Sequence, residues 1–376
     1  MTKSKREFSV LVIAGDGIGP EVTAEATAVL DLISAHPKGR ATFKFLPRLF
    51  GGCSIDKHGV SVTDEVLETG RQSDAILMGA VGGPKWDGKR HGFEGPEGAT
   101  LRLRDATQVY ANLRPCEYFS AGSSPLREEL VQGAKFIVLR ENCGGAFYGP
   151  KTEEKDYASD LWSYKRSEIE RVTRMAAHLA ISKASPKKTV ISCDKANVLA
   201  SSRLWRRVVQ ETMDREFPDV ELVHQLADSA TTLMMMRPTF FNGVVLADNT
   251  FGDLLSDLAG VIPGTLGVLP SACLADIPVQ KWGDAPIKGF YEPVHGSAPD
   301  IAGQGIANPI GAILSAALML PYSFGMEEEA TAIERAVNAT LDAGLRTKDM
   351  RGTSSTEEMG SAIRGTLQKL LDEIVC

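Results

Sequence analysis

The sequence predicts an α/β fold with more than one core. Short apolar segments, typical of buried strands, alternate with longer segments whose apolar residues recur at helical spacing. The first pair is a strand at Phe8 to Ala14 and a helix that follows it after a glycine-rich turn. The chain has 376 residues, more than one ordinary hydrophobic core organises, so its length favours about two domains or one large α/β unit.

The remaining elements follow in order along the chain. In the first helix the apolar face consists of Val22, Ala26, Val29, Leu30 and Ile33. Further strands are predicted at Ala75 to Val81, Lys135 to Arg140, Thr189 to Ser192, Glu221 to Leu226 and Gly243 to Ala247. A second amphipathic helix carries Ile169, Val172, Ala176 and Leu179. Past Pro309 the pattern is mostly helical, with segments at Pro309 to Leu320, Glu328 to Ala343 and Thr356 to Ile374.

Composition excludes several classes of protein. The net charge is −7, from 41 basic and 48 acidic residues, whereas a nucleic-acid binder needs a basic surface. No apolar run is long enough to span a membrane. The six cysteines are scattered without a CxxC pair, which fits reduced thiols better than a zinc site. Since Met1 to Phe8 also lacks the long Arg- and Ser-rich stretch of an organelle-targeting segment, we expect a cytoplasmic protein.

The glycine-rich turn Gly15-Asp16-Gly17-Ile18-Gly19 invites a dinucleotide-binding interpretation. Its spacing is GxGxG rather than GxGxxG, and no acidic residue stands out at the end of a second strand. The turn therefore predicts a tight strand-to-helix connection more strongly than a Rossmann fingerprint.

Two aspartates, Asp253 and Asp257, are four residues apart in a segment with helical spacing, which places both carboxylates on one helix face. Two aligned carboxylates repel each other unless a cation lies between them, and hard oxygen ligands suit Mg²⁺ or Mn²⁺. The alternative is a solvated acidic face. Because neighbouring residues such as Leu254 and Leu255 are apolar, we expect this face not to be open surface.

Basic residues follow strand or turn signals at several places. Arg104, Arg114 and Arg140 could bind carboxylates through their guanidinium forks, although each alone is more often a surface ion pair. Lys195 and Asp228 each follow a strand directly, where sites of α/β proteins gather. A lysine in such a place can act as a base if its pKa is lowered.

The loop His295-Gly296-Ser297-Ala298-Pro299-Asp300 combines small residues with one imidazole and one carboxylate. It could hold a ribose and an adenine, although a lone loop histidine is more often structural. Taken together, arginines for a polycarboxylate, aspartates for a divalent cation and a lysine base suit the oxidation and decarboxylation of a hydroxy diacid.

Long motifs show that the chain resembles the β-decarboxylating dehydrogenases, the family of isocitrate and isopropylmalate dehydrogenases, over nearly its whole length. The motifs are GDGIGPE (Gly15 to Glu21), GAVGGPKW (Gly79 to Trp86), YANLRP (Tyr110 to Pro115), DKANVLASSRLWR (Asp194 to Arg206), DNTFGDLLSD (Asp248 to Asp257), IPGTLGVLPSA (Ile262 to Ala272) and HGSAPDIAGQGIANP (His295 to Pro309).

The resemblance implies a two-domain α/β fold with a large mixed sheet flanked by helices, which is not a Rossmann fold. The first domain would be discontinuous, residues 1–109 and 262–376, and would make most contacts with NAD. Residues 110–261 would form the second domain, with the dimer interface and part of the substrate and metal site. Enzymes of this family are homodimers with shared active sites, so we expect a homodimer.

The resemblance also implies roles for residues. Arg104, Arg114 and Arg140 would bind the substrate, with Thr100, Leu101 and Asp228 beside it. Asp253 and Asp257, with Asp228 of a second subunit, would bind Mg²⁺ or Mn²⁺. Lys195, also of the second subunit, would take the hydroxyl proton. The NAD contacts would be Ile18, Glu97, His295, Gly296, Ser297, Ala298, Asp300 and Asn308. A carboxylate at Asp300 would repel a 2′-phosphate, which favours NAD over NADP.

One departure from the family pattern concerns a tyrosine that helps protonate the enol product. Isopropylmalate dehydrogenases usually carry Ile-Tyr-Phe-Gly after the third arginine, whereas this chain has Ala146-Phe147-Tyr148-Gly149. In an extended segment, a shift of one residue would send the side chain to the opposite face. Because the nearby glycines Gly144 and Gly145 could let the backbone adjust, we expect Tyr148 to take this role. The alternative is that another acid or water protonates the product.

The other departure is in the substrate pocket. Where the family grips the isopropyl group with a leucine, this chain has Thr100. Loss of a methylene or two of contact costs on the order of 1–3 kcal/mol with a branched alkyl substrate. The favoured substrate is still 3-isopropylmalate, and the alternative is a related 3-substituted malate such as 3-benzylmalate in specialised metabolism.

Two further alternatives lie outside this activity. An inactive regulatory subunit should have lost its lysine or its aspartates, but Lys195, Asp228, Asp253 and Asp257 are all present. A Rossmann hydroxy-acid dehydrogenase would need no metal.

Overall fold

The computed structural model describes residues 5–86, 94–118, 124–279 and 281–373. The first four residues of the segment considered for targeting, and Cys376, lie outside these ranges. The chain divides into two compact units, Met1–Val109 with Thr265–Cys376, and Tyr110–Gly264. In the described ranges, no helix combines the length and the apolar character that a membrane crossing requires.

Unit 1 contains five strands of a mixed sheet, together with helices. Its strands are β1 (Arg6–Gly15), β2 (Ala41–Pro47), β3 (Ala75–Ala80), β11 (Pro270–Leu274) and β12 (Gly289–Pro293). Its helices are α1 (Gly19–Ala35), α2 (Gly52–His58), α3 (Asp64–Gln72), α4 (Pro96–Thr107), α10 (Ile310–Phe324), α11 (Glu327–Asp342) and α12 (Thr356–Glu373). The strand order is β2-β1-β3-β12-β11, and all neighbours are parallel except β11 and β12.

Unit 2 also contains five strands in one mixed sheet, β4 (Ala111–Glu117), β5 (Lys135–Glu141), β8 (Thr189–Asp194), β9 (Glu221–Leu226) and β10 (Val244–Ala247). A separate hairpin is formed by β6 (Lys151–Glu153) and β7 (Ala158–Asp160). The helices are α5 (Glu128–Val131), α6 (Arg166–Ile181), α7 (Ala200–Glu216), α8 (Ala227–Met236) and α9 (Asn249–Ala259). The order is β4-β5-β10-β8-β9, with only β4 and β5 antiparallel among the paired neighbours.

Apolar runs explain the central strands. β3 and β10 are buried along their whole length, as expected for strands of a parallel sheet covered on both faces. α10 is buried almost all round and is correspondingly apolar. In α12 the buried residues Met359, Ile363, Leu367 and Leu371 recur every four residues and form one face.

The glycine turn after β1 is a tight connection into α1. Gly15 and Gly17 have φ of 76° and 59°, a left-handed conformation that glycine adopts without strain. Gly17 also lies against the backbone of Ser297, since a Cβ there would be 1.9 Å from the Ser297 carbonyl oxygen. The turn after β1 therefore packs against the loop from His295 to Asp300, which the sequence predicts to bind a nucleotide.

Candidate active site

The candidate site of unit 2 begins with two neighbouring strands. Arg114 lies on β4 and Arg140 on β5, and the antiparallel register pairs Arg140 with Asn112. Both guanidinium side chains are largely buried, with 13% and 5% of the side-chain surface exposed. Two buried cations so close together need negative charge nearby.

Helix α9 supplies that charge. Arg114 Nη1 lies 2.8 Å from Asp257 Oδ1 and its Nη2 lies 3.7 Å from Asp253 Oδ1. Arg140 donates a short hydrogen bond to the same Asp253 oxygen. The structure therefore brings Arg114, Arg140, Asp253 and Asp257 together and places both aspartates on one helix face.

The expectation that this aspartate face is not open surface is wrong for the single chain. Asp257 is 60% exposed and Asp253 is 35% exposed, and the intervening Leu254 is 63% exposed. Of the two apolar neighbours, Leu254 is exposed beside the carboxylates, whereas Leu255 is buried in the core.

Lys195 and Asp228 form a separate ion pair. Lys195 follows β8, Asp228 is in the first turn of α8, and Lys195 Nζ lies 2.5 Å from Asp228 Oδ2. The lysine contact lowers the pKa of the exposed Asp228 carboxyl. Within the described ranges of one chain, no three His, Cys, Asp or Glu side chains are grouped to hold a metal ion. Asp228 is therefore not assembled with Asp253 and Asp257 within one chain.

The remaining arginine, Arg104, is in unit 1 with the two pocket residues, Thr100 and Leu101. Arg104 is buried on α4, pairs with Glu292 of β12 and lies over the Phe290 ring, 5.6 Å from its centroid. Thr100 is one helical turn earlier, and its buried hydroxyl has no hydrogen-bond partner among the described residues. Leu101, the next residue, is partly exposed. The sequence around Glu292 does not indicate that this residue pairs with Arg104.

The segment after Arg140 is a short 3₁₀ helix, Gly145–Phe147, with Tyr148 at its end. The premise of an extended segment is therefore wrong, because consecutive residues of a 3₁₀ helix differ by about 120° in direction rather than pointing to opposite faces. The Arg140 guanidinium lies 5.5 Å from the centroid of the Phe147 ring. The aromatic ring packed on this arginine is thus that of Phe147.

The eight predicted nucleotide contacts all lie in unit 1, and four of them line a cavity of about 450 Å³. Ile18, His295, Asp300 and Asn308 line it, together with Thr265, Leu266, Gly267, Ile301, Ile306, Ala307, Lys348 and Asp349. Gly296, Ser297 and Ala298 continue the chain from His295, and the Ser297 carbonyl accepts a hydrogen bond from Ile18 N at 2.8 Å. Glu97 is in the first turn of α4, with its carboxylate against Gly82.

The chemistry of this cavity fits a nucleotide. Its aliphatic residues Ile18, Leu266, Ile301 and Ile306 can cover a flat base, and Asp300 is exposed beside them. His295 Nδ1 contacts the Gly296 carbonyl, whereas its buried Nε2 has no partner among the described residues. Burial also lowers the pKa of His295, which favours its neutral form.

Sequence reasoning missed several of these lining residues. Thr265 to Gly267 belong to the IPGTLGVLPSA motif, so the sequence did contain a signal for them. Asp349 has none, because it is far along the chain and joins the cavity only through hydrogen bonds to Thr265 and Asn308.

Two carboxyl groups next to the site residues of unit 2 are buried: Glu141 follows Arg140, and Asp248 directly precedes α9. Burial raises the pKa of both Glu141 and Asp248 to about 7. Asp248 caps α9 by accepting a hydrogen bond from Phe251 N at 2.9 Å, and Glu141 pairs with Arg171 at 3.1 Å.

Comparison with known proteins agrees with the geometry. Residues 9–363 match the isocitrate/isopropylmalate dehydrogenase family. The chain belongs to this family. The chain is 53% identical to 3-isopropylmalate dehydrogenase B of Aspergillus niger, covering 96% of this chain and 98% of that protein. It is 50% identical to 3-isopropylmalate dehydrogenase of Hapsidospora chrysogena, covering 97% and 98%.

Solved structures give the same result. The fold is similar to isocitrate dehydrogenase from Methylococcus capsulatus, with a TM-score of 0.82 and 29% identity over 96% of this chain and 99% of that one. A β-decarboxylating dehydrogenase from Thermococcus kodakarensis gives a TM-score of 0.76 and 35% identity over 98% and 99%. The predicted family and mixed α/β fold class are confirmed.

The pKa of Asp248 yields a testable pH dependence. Because the folded protein keeps this proton up to about pH 7 while the unfolded chain loses it near pH 3.8, folding binds the proton more tightly, and stability falls as pH rises between these values. Asp248→Asn keeps a capping side chain that cannot ionise. We expect the stability of Asp248→Asn relative to the parent protein to rise by about 2 kcal/mol from pH 5 to pH 7.5. Urea unfolding across this range measures it, and a constant difference would contradict the assignment.

Proposed function

We propose that this protein catalyses the NAD-dependent oxidative decarboxylation of (2R,3S)-3-isopropylmalate to 4-methyl-2-oxopentanoate in leucine biosynthesis. The observation that carries the proposal is the group of Arg114, Arg140, Asp253 and Asp257, which combines two buried guanidinium forks with two carboxylates on one helix face. The family and the names of the relatives at about half identity support the substrate.

The cofactors of the proposal are NAD and Mg²⁺ or Mn²⁺. Asp253 and Asp257 would hold the cation together with Asp228 of a second subunit, and the residues around the unit 1 cavity would hold NAD. When bound, the cation would supply Lewis-acid stabilisation of negative charge on the substrate oxygens, and NAD would supply the hydride acceptor. The exposed Asp300 carboxylate supports NAD rather than NADP.

The residues of this chain bind and orient the substrate and move its protons. Arg104, Arg114 and Arg140 would bind substrate carboxylates bidentately. In this structure Arg114 and Arg140 are paired with the aspartates, so these arginines become available when the aspartates engage a cation. Lys195 would accept the hydroxyl proton, for which it must be neutral and separate from Asp228.

We propose further that the protein is a homodimer with shared active sites. In the single chain, the surfaces that carry the site residues expose large apolar side chains: Val198 near Lys195, Met236 at the end of α8 and Leu254 between the aspartates are each 62–63% exposed. The β6–β7 hairpin is exposed at every strand residue, although an isolated hairpin is marginally stable in water. A second copy would cover such surfaces. Unit 1 would then serve mainly NAD, and unit 2 the dimer interface and part of the substrate and metal site.

Cys53, Cys116 and Cys193 are free thiols, which supports a reducing compartment. We propose the cytoplasm as the place of this activity.

Mixing two inactive variants tests the shared site. Lys195→Ala and Asp253→Asn should each be inactive as homodimers. In a heterodimer, one site receives the intact lysine from one chain and the intact Asp253 from the other. Refolding an equal mixture should therefore restore about a quarter of parental activity with 3-isopropylmalate. Activity no greater than the sum of the two variants would place both residues of one chain in the same site.

The product-protonation step is assigned to Tyr148, which ends the 3₁₀ turn beside Arg140. Removing the hydroxyl in Tyr148→Phe should lower kcat by about 10²-fold or more, as for loss of a general acid, with little change in KM. Phe147→Leu is the comparison variant: it removes the ring packed on Arg140 but no hydroxyl, so it reports the effect of disturbing the same turn. Unchanged turnover of Tyr148→Phe would remove Tyr148 from the mechanism.

The Thr100 hydroxyl provides a test of substrate choice. Thr100→Leu should raise kcat/KM for 3-isopropylmalate about tenfold, because leucine adds apolar contact and removes a buried hydroxyl without a partner. The isosteric Thr100→Val separates loss of the hydroxyl from added volume. The parent protein should prefer 3-isopropylmalate to 3-benzylmalate in initial rates. The opposite preference, together with a loss in Thr100→Leu, would favour the specialised substrate.

A further inference from the structure

Asn249 joins three parts of the unit 2 site. It is the first residue of α9, separated from β10 by Asp248, and it is completely buried. Its side-chain oxygen accepts a hydrogen bond from Arg140 Nε at 2.8 Å. Its side-chain nitrogen donates to the Gly144 carbonyl at 2.9 Å, and its backbone N–H donates to the Tyr164 hydroxyl at 3.0 Å.

The polarity of these contacts leaves one orientation for the amide. Arginine Nε only donates and a carbonyl only accepts, so a flipped amide would oppose two donors on one side and two acceptors on the other. The side chain is thus fixed by its two partners. A carboxylate could serve Arg140 but not Gly144, and an aliphatic residue could serve neither.

Each partner of Asn249 matters to the proposed chemistry. With Nε bound to Asn249, Arg140 donates through Nη1 to Asp253. Gly144 precedes the 3₁₀ turn that carries Phe147 and Tyr148. α9 packs closely on Arg140, since a Cβ on Gly252 would lie 2.7 Å from Arg140 Cβ. Arg114 is held in a similar way, with its Nε donating to Asn112 Oδ1 at 3.0 Å.

We infer that Asn249 is a positioning residue that orients Arg140 toward substrate and holds the Gly144–Tyr148 turn in register with it. This role rests on the proposed function. It has two separable parts, because one atom of the amide serves the arginine and the other serves the turn.

Asn249→Ala and Asn249→Asp test the two parts. Asn249→Ala removes both side-chain bonds and should weaken 3-isopropylmalate binding and lower kcat, each about tenfold. Asn249→Asp keeps an acceptor for Arg140 but sets a carboxylate against the Gly144 carbonyl, so substrate affinity should stay within about threefold while kcat falls about tenfold. The KM for NAD should change in neither variant. The measurements are kcat, both KM values, and calorimetric binding of 3-isopropylmalate with Mn²⁺ in the absence of NAD.

Asn242→Ala is the matched control. Asn242 precedes β10 at the end opposite to Asn249. Its amide also makes two hydrogen bonds, but both to backbone groups: it accepts from Lys135 N at 2.8 Å and donates to the Gly133 carbonyl at 2.9 Å. The Asn242→Ala substitution should lower the melting temperature while leaving substrate affinity and kcat unchanged. If Asn249→Ala matched Asn242→Ala in affinity and kcat, Asn249 would have a structural role only. Because Asn249→Asp is nearly isosteric, it decides the question if the alanine variant does not fold: parental kcat in Asn249→Asp would overturn the inference. Lack of turnover in the parent protein would overturn the proposed function as well.

Discussion

The site of unit 2 depends on the repulsion between two carboxylates fixed one helical turn apart. Asp253 and Asp257 project from the same face of α9, and the fold places Arg114 and Arg140 against them from the two adjacent strands β4 and β5. Each arginine is buried, so it also requires an anionic partner. The aspartates and the arginines therefore stabilise each other in the free protein. A bound cation can replace the arginines beside the aspartates, and the carboxylates of a substrate can replace the aspartates beside the arginines.

Much of the fold could be predicted because buried strands of parallel sheets are continuous apolar runs. The predicted strands at Ala75, Lys135 and Glu221 begin where the structure begins them. The sequence does not predict β2, β4, β11 and β12, since each contains proline or charged residues, including Pro115. Their pairing with neighbouring strands, not their own pattern, makes them strands.

The candidate site was predictable where residue type alone limits the chemistry. Arginines, aspartates and a lysine after strands pointed to a carboxylate substrate and a cation. The residues that orient them were not predictable: Asn249 and Glu292 are ordinary residues until the fold sets them against Arg140 and Arg104. The separation of Lys195 and Asp228 from the other aspartates could be expected only from the family resemblance, because spacing along the chain does not tell one subunit from its partner.

Binding linkage tests the central claim, that Arg114 and Arg140 are released to substrate when the aspartates take up a cation. Calorimetry would measure the affinity for 3-isopropylmalate with and without Mn²⁺, and for Mn²⁺ with and without 3-isopropylmalate, in the parent protein and in Asp257→Asn. The account predicts that each ligand raises the affinity for the other by the same factor of about ten or more, and that the factor shrinks in Asp257→Asn. Affinities that do not depend on the other ligand would contradict it.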